Sequence, residues 1–181
     1  TMRFALYYAP PSSSRLWDLG CRWLGRDALA NEKVRHHRFS DIDPDRLHEL
    51  TRISRRYGLH GTLKAPFRLA SGCTVNMLRS ALDDFTSRTP SFVLPPLVLR
   101  QINDFFCLCP EQQSQELDEL AAACVRLFDR FRAPLTAGER ARRRSDILTP
   151  VEKAHLAAWG YPYVLNQFRF HLTLTGRITN N

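Results

Sequence analysis

Phe168-Arg169-Phe170-His171-Leu172-Thr173-Leu174-Thr175-Gly176 alternates apolar and polar residues without a break. Successive side chains of a β-strand point to opposite faces. The run therefore sorts Phe168, Phe170, Leu172 and Leu174 onto one side, and Arg169, His171, Thr173, Thr175 and Arg177 onto the other. A strand with one apolar and one polar face is the normal unit of an antiparallel sheet. Here the polar face carries two arginines, one histidine, two threonines and no carboxylate, the composition of an anion site rather than of an average wet surface.

The phrase has an echo. Gly58-Leu59-His60-Gly61-Thr62-Leu63-Lys64 sets His60, Thr62 and Lys64 on one face, opposite Leu59, Gly61, Leu63 and Ala65. Each copy pairs an imidazole with a hydroxyl two positions on, beside a cation. Two such strands facing each other would gather two titratable bases and two hydroxyl donors around one small space. Imidazole exchanges protons near neutral pH. Threonine hydroxyls can donate to phosphoryl oxygens as charge moves in a transition state. This equipment suits acid–base work on a phosphate ester and requires neither metal nor cofactor.

Outward from the two motifs the chain reads as mixed helices and strands. Residues 3–9 form a strand ended by Pro10-Pro11, and a serine-capped helix follows over 15–24. Asp43-Pro44 opens a helix through about residue 53, and the first motif strand spans roughly 56–68. A helix over 74–87 is followed by strands at roughly 91–102 and 104–109, joined at Asn103-Asp104. Residues 112–132 form a helix whose stripe is Leu117, Leu120, Ala121, Cys124, Leu127, Phe128 and Phe131. A basic stretch, Arg140-Ala141-Arg142-Arg143-Arg144, is read as a loop. A helix over 150–159 leads to the second motif strand at roughly 167–178. Intermixed elements without strict βαβ alternation indicate an α+β fold. Each half supplies one helix followed by one motif strand, so the 181 residues are expected to form a single bilobal domain with one motif per lobe.

Bulk properties narrow the classes. The 44% hydrophobic content is ordinary for a globular protein. No apolar run approaches the length needed to span a bilayer, and the first residues lack the pattern of a signal peptide. Five irregularly spaced cysteines (Cys21, Cys73, Cys107, Cys109 and Cys124) do not suggest a disulfide scaffold. A reducing cytoplasm is the expected setting. The net charge of +8 rests on 23 Arg and 3 Lys, and arginine offers phosphate a planar fork of donors. An anionic partner fits, although scattered arginine is often plain surface.

The repeated His-hydrophobic-Thr/Ser-hydrophobic pattern resembles the 2H phosphoesterase superfamily, including its LigT-like members. That resemblance implies a bilobal fold, with two antiparallel sheet lobes around a central cleft and helices outside. It implies catalytic roles for His60, Thr62, His171 and Thr173. Gly61 departs from the hydrophobic residue usual after the first histidine. The stretches Tyr57–Phe67, Trp159–Val164 and Phe168–Arg177 resemble a 2H-like family encoded beside bacterial phosphonate-utilisation genes. The expected function is then a metal-independent cyclic phosphodiesterase, a hydrolase acting on a small phosphorylated metabolite such as a ribosyl cyclic phosphate. One histidine would serve as general base and the other as general acid. An RNA 2′,3′-cyclic phosphodiesterase, or a non-catalytic module binding phosphate ligands or RNA, is the alternative. Tyr7, Lys64, Arg142, Arg143 and Arg177 are the candidate substrate-binding residues. No membrane partner is expected.

Overall fold

The computed structural model describes residues 2–143 and 145–178. In chain order its elements are β1 (Phe4–Tyr8), α1 (Arg15–Leu24), β2 (Arg26–Asp27), β3 (Glu32–Lys33), α2 (Pro44–Leu50), β4 (Gly61–Phe67), α3 (Val75–Arg88), β5 (Leu97–Ile102), β6 (Phe105–Pro110), α4 (Gln115–Leu127), α5 (Ala137–Arg142), α6 (Pro150–Trp159) and β7 (Leu172–Thr173). A five-stranded sheet has the order β1-β4-β7-β6-β5, and β2 and β3 form a separate two-stranded sheet. The pairings of β4 with β7, β7 with β6 and β6 with β5 are antiparallel. The architecture is a mixed α and β fold.

Local chemistry explains most boundaries. The Ser14, Thr74 and Ser114 side chains accept from the Trp17, Met77 and Leu117 amides and so start α1, α3 and α4. Asp43 caps α2, with Pro44 at its first position. β5 begins at Leu97 rather than near residue 91, because Pro95 and Pro96 have no N–H to give a ladder. A two-residue turn at Asn103-Asp104 joins β5 to β6, with Asn103 in the left-handed region at φ 51°. Residues 112–132 are shorter as a helix than expected. α4 ends at Leu127, and a 3₁₀ turn, Asp129–Phe131, completes the segment.

The stretch expected as a basic loop is partly helical. Thr136 and Glu139 form a reciprocal capping box that starts α5, so Arg140 and Arg142 lie on a helix. Arg144 lies outside the described residues.

The chain divides into two compact units. The first comprises residues 1–6, 63–94 and 114–169; the second comprises residues 7–62, 95–113 and 170–181. The first unit has its own core of Leu6, Phe67, Leu78, Cys124, Phe128 and Phe131. Within the expected α4 stripe Leu127 is exposed, and Val125 is buried in its stead. The second unit buries Trp17, Cys21, Leu24, Leu47, Leu59, Cys107 and Leu172. Burial pushes the Cys21, Cys107 and Cys124 thiols up to about 11, so they stay protonated at neutral pH. Both His-x-Thr motifs fall in the second unit. Among the described residues no helix is long and apolar enough to cross a membrane.

Candidate functional site

The two motifs meet at one backbone pair. Gly61 on β4 is the antiparallel partner of Leu172 on β7. That register sets His60 across from Thr173, and Thr62 across from His171. Cross-strand neighbours of this kind have Cβ atoms about 4.5–5.5 Å apart. Gly61 and Leu172 share one face of the sheet, so all four motif residues share the other. The sequence suggested two strands facing each other. In the second unit they lie side by side, and each imidazole has the other motif's hydroxyl as its lateral neighbour.

The opposite face explains why this join is tight. A Cβ added at Gly61 would lie 2.4 Å from the Phe170 ring, and Phe170 is itself buried. The glycine that departs from the resemblance therefore makes room for an aromatic ring from the other motif.

The surroundings of His60 define its proton. Its Nδ1 lies 2.9 Å from the Gly58 carbonyl oxygen. A neutral ring held there carries its proton on Nδ1 and leaves the Nε2 lone pair available. Gly58 sits at φ 75°, and its Cβ position is 2.3 Å from the Ala28 methyl. Only glycine gives that turn without strain or collision. The Tyr7 ring packs on His60 with centroids 4.0 Å apart, and Tyr57 stands at 6.3 Å. His60 has its pKa held below 6.5, first by burial and further by the neighbouring His171, against the pull of the Gly58 bond. Burial, with a smaller contribution from Tyr57, raises the Tyr7 phenol above 10, so it stays protonated. His171 packs near Phe105 at 5.6 Å.

The end of the second motif departs from strict alternation. The Leu174 and Thr175 amides both donate to the Phe106 carbonyl, at 2.9 and 3.3 Å. Two residues against one is the mark of a β-bulge. The bulge turns Thr175 inward, where its Oγ1 accepts from the Phe106 amide at 2.9 Å. Thr175 is thus a buried structural residue and not a member of the polar face. Trp23 Nε1 and Ser54 Oγ both donate to the Leu174 carbonyl, fixing this end of β7.

The remaining candidates scatter. Lys64 belongs to the first unit and is 4% exposed. Its ammonium donates to the Val125 carbonyl and to Asp129, which also holds Arg132. Burial lowers its pKa despite the Asp129 charge. Arg177 is exposed and pairs with Asp104 at 3.2 Å. Arg142 and Arg143 lie at the end of α5 in the first unit, where the Arg143 guanidinium covers the Tyr161 ring at 4.9 Å. Sequence reasoning missed Gly58 and Glu139. Gly58 follows from the need for a carbonyl beside His60. Glu139 was legible in the Thr136-Ala137-Gly138-Glu139 spacing of a capping box.

A family described as "Protein of unknown function (DUF1045)" matches residues 62–181. A protein of Janthinobacterium sp. (strain Marseille) named ribose 1,5-bisphosphate phosphokinase PhnN is 40% identical over 173 residues, covering 96% of this chain and 38% of that protein. A protein of the same name from Laribacter hongkongensis (strain HLHK9) is 38% identical over 180 residues, covering 98% of this chain and 40% of its own. The chain thus spans about two-fifths of the length of these curated relatives. No solved structure matches this chain.

These names overturn the expected activity. A phosphokinase transfers a phosphoryl group and is not a hydrolase, so the cyclic phosphodiesterase reading is corrected, for a metabolite and for RNA ends alike. The physical reason lies in what two histidines specify. Imidazoles are able to exchange protons near neutral pH, and any attacking O–H, whether of water or of another acceptor, must lose one. The motifs therefore do not distinguish the acceptor.

Proposed function

The chain belongs to the DUF1045 family, and from that premise we propose that it is the sugar-phosphate-handling portion of a phosphoryl-transfer protein acting on a phosphorylated ribose. The observation that carries this reading is the Gly61–Leu172 pairing, which gathers His60, Thr62, His171 and Thr173 on one sheet face. The relatives' names, which include ribose 1,5-bisphosphate, support a phosphorylated ribose as the substrate class. The likeness to the 2H superfamily, with its bilobal fold and its setting in phosphonate use, belongs to the same reading, as does a cytoplasmic location.

In this reading His60 accepts a proton at Nε2 from the acceptor oxygen of the phosphorylated ribose as that oxygen bonds to phosphorus. The bond from phosphorus to the bridging oxygen of a phosphoanhydride donor breaks, and that oxygen leaves with the electron pair on the donor's phosphate product. Its lowered pKa keeps the ring neutral for that role near pH 7. His171, Thr62 and Thr173 hold phosphoryl oxygens, and Tyr7 fixes the His60 ring plane. Such positioning and charge stabilisation make up most of what a protein contributes to phosphoryl transfer.

Titration of ribose 1,5-bisphosphate into the protein, followed by the imidazole proton resonances, tests the reading. The His60 and His171 signals should move on one saturation curve. His60→Ala and His171→Ala should each weaken binding about tenfold or more, the scale of a hydrogen bond to a charged group. Saturable binding that leaves both histidine signals in place would sink the proposal.

A further inference from the structure

The first unit contains a basic cavity, built independently of the histidine face. It has a volume of about 240 Å³, and six cations line it: Arg3, Lys64, Arg68, Arg132, Arg142 and Arg143. Two carboxylates serve the first four. Glu139 takes Arg3 and Arg68, and Asp129 takes Lys64 and Arg132. Among the described residues Arg142 and Arg143 have no carboxylate partner, so the wall carries a clear excess of positive charge. Arg143 is laid over Tyr161, which aims its fork of donors. The Tyr161 phenol, kept protonated mainly by burial, adds a neutral donor to the lining.

We propose that this cavity is an anion site for a single phosphoryl group, with Arg142 and Arg143 as its ligands. Its volume lies just below the range of about 300–1,000 Å³ typical of sites for larger ligands, which suits phosphate or a compact sugar phosphate. Arginine forks match phosphate oxygens in pairs. The four paired cations form a rigid scaffold, and the two without carboxylates supply the charge that a dianion neutralises. This goes beyond the role proposed for the histidine face and does not depend on it.

The test uses the His60→Ala/His171→Ala protein, so that failure of the histidine site cannot be mistaken for failure of this one. Calorimetric titration is run with inorganic phosphate and with ribose 5-phosphate. Saturable binding is expected, weakened at least tenfold by Arg142→Gln/Arg143→Gln. Arg143→Lys keeps the charge but loses the fork, and should weaken binding less than the double change does. Tighter binding of ribose 5-phosphate identifies a sugar-borne phosphoryl group as the ligand, and equal binding identifies free phosphate. Absence of saturation with both ligands, or binding untouched by the arginine changes, overturns the proposal.

Discussion

At the scale of the residue, His60 shows how much of a functional group is made by its neighbours. The side chain is given by sequence, but its tautomer comes from the Gly58 carbonyl and its affinity for protons from burial and His171. A proton titration followed by NMR should give His60 a midpoint below 6.5. In His171→Ala the midpoint should rise while staying below 6.5, because burial is the larger cause. A midpoint unmoved by that change would mean the two rings do not sense each other. Gly61 is the counterpart on the apolar face. Gly61→Val would force its side chain into the Phe170 ring, and overpacking of this kind costs about 1–3 kcal/mol. Thermal unfolding should register that loss. The sequence marked Gly61 as an oddity; what it makes room for became visible only when residue 170 lay over residue 61.

Among the elements, β7 departs most from its sequence. Alternation over 167–178 predicted a long strand, yet only Leu172–Thr173 keeps ladder geometry. The bulge opposite Phe106 cuts it short and inverts Thr175. Periodicity reports which side chains can share a face, but a bulge depends on the partner strand's register, which no window of one segment contains. Thr175→Val removes the acceptor for the Phe106 amide and leaves that part-buried donor without its bond. A loss of about 1–3 kcal/mol is expected, measured by chemical denaturation. A neutral result would show that the bulge does not rely on that hydroxyl. α5 makes the opposite point: its capping box is legible in the Thr136–Glu139 spacing, although a run of arginines follows it.

For the whole molecule, the two units should respond to acid in separate windows. In the second unit His60 has a folded pKa below its unfolded value near 6.5, so the unfolded chain binds the proton first. Stability should therefore fall as pH drops from about 6.5 toward the folded pKa. In the first unit Glu139 is held at about 2, chiefly by Arg68 and also by the Thr136 amide and Arg3, below the 4.5 of an ordinary glutamate. Its contribution is present above pH 4.5 and is lost as pH falls toward about 2. Denaturation across pH should show His60→Gln flattening the upper slope and Glu139→Gln the lower one. If Glu139→Gln leaves the lower slope unchanged, Glu139 is not the group that titrates there. By itself, the sequence determined that both motifs carry a histidine and a hydroxyl on one strand face, that the fold mixes helices with an antiparallel sheet, and that most helices start at their caps. These are short-range properties, fixed by side-chain period and by groups within a turn of one another. Only the tertiary structure decided that the motif strands are adjacent, that Lys64 is given over to Asp129, and that arginines distant in sequence wall one cavity. Those outcomes depend on register, burial and charge pairing between segments tens of residues apart, and local chemistry leaves all of them open.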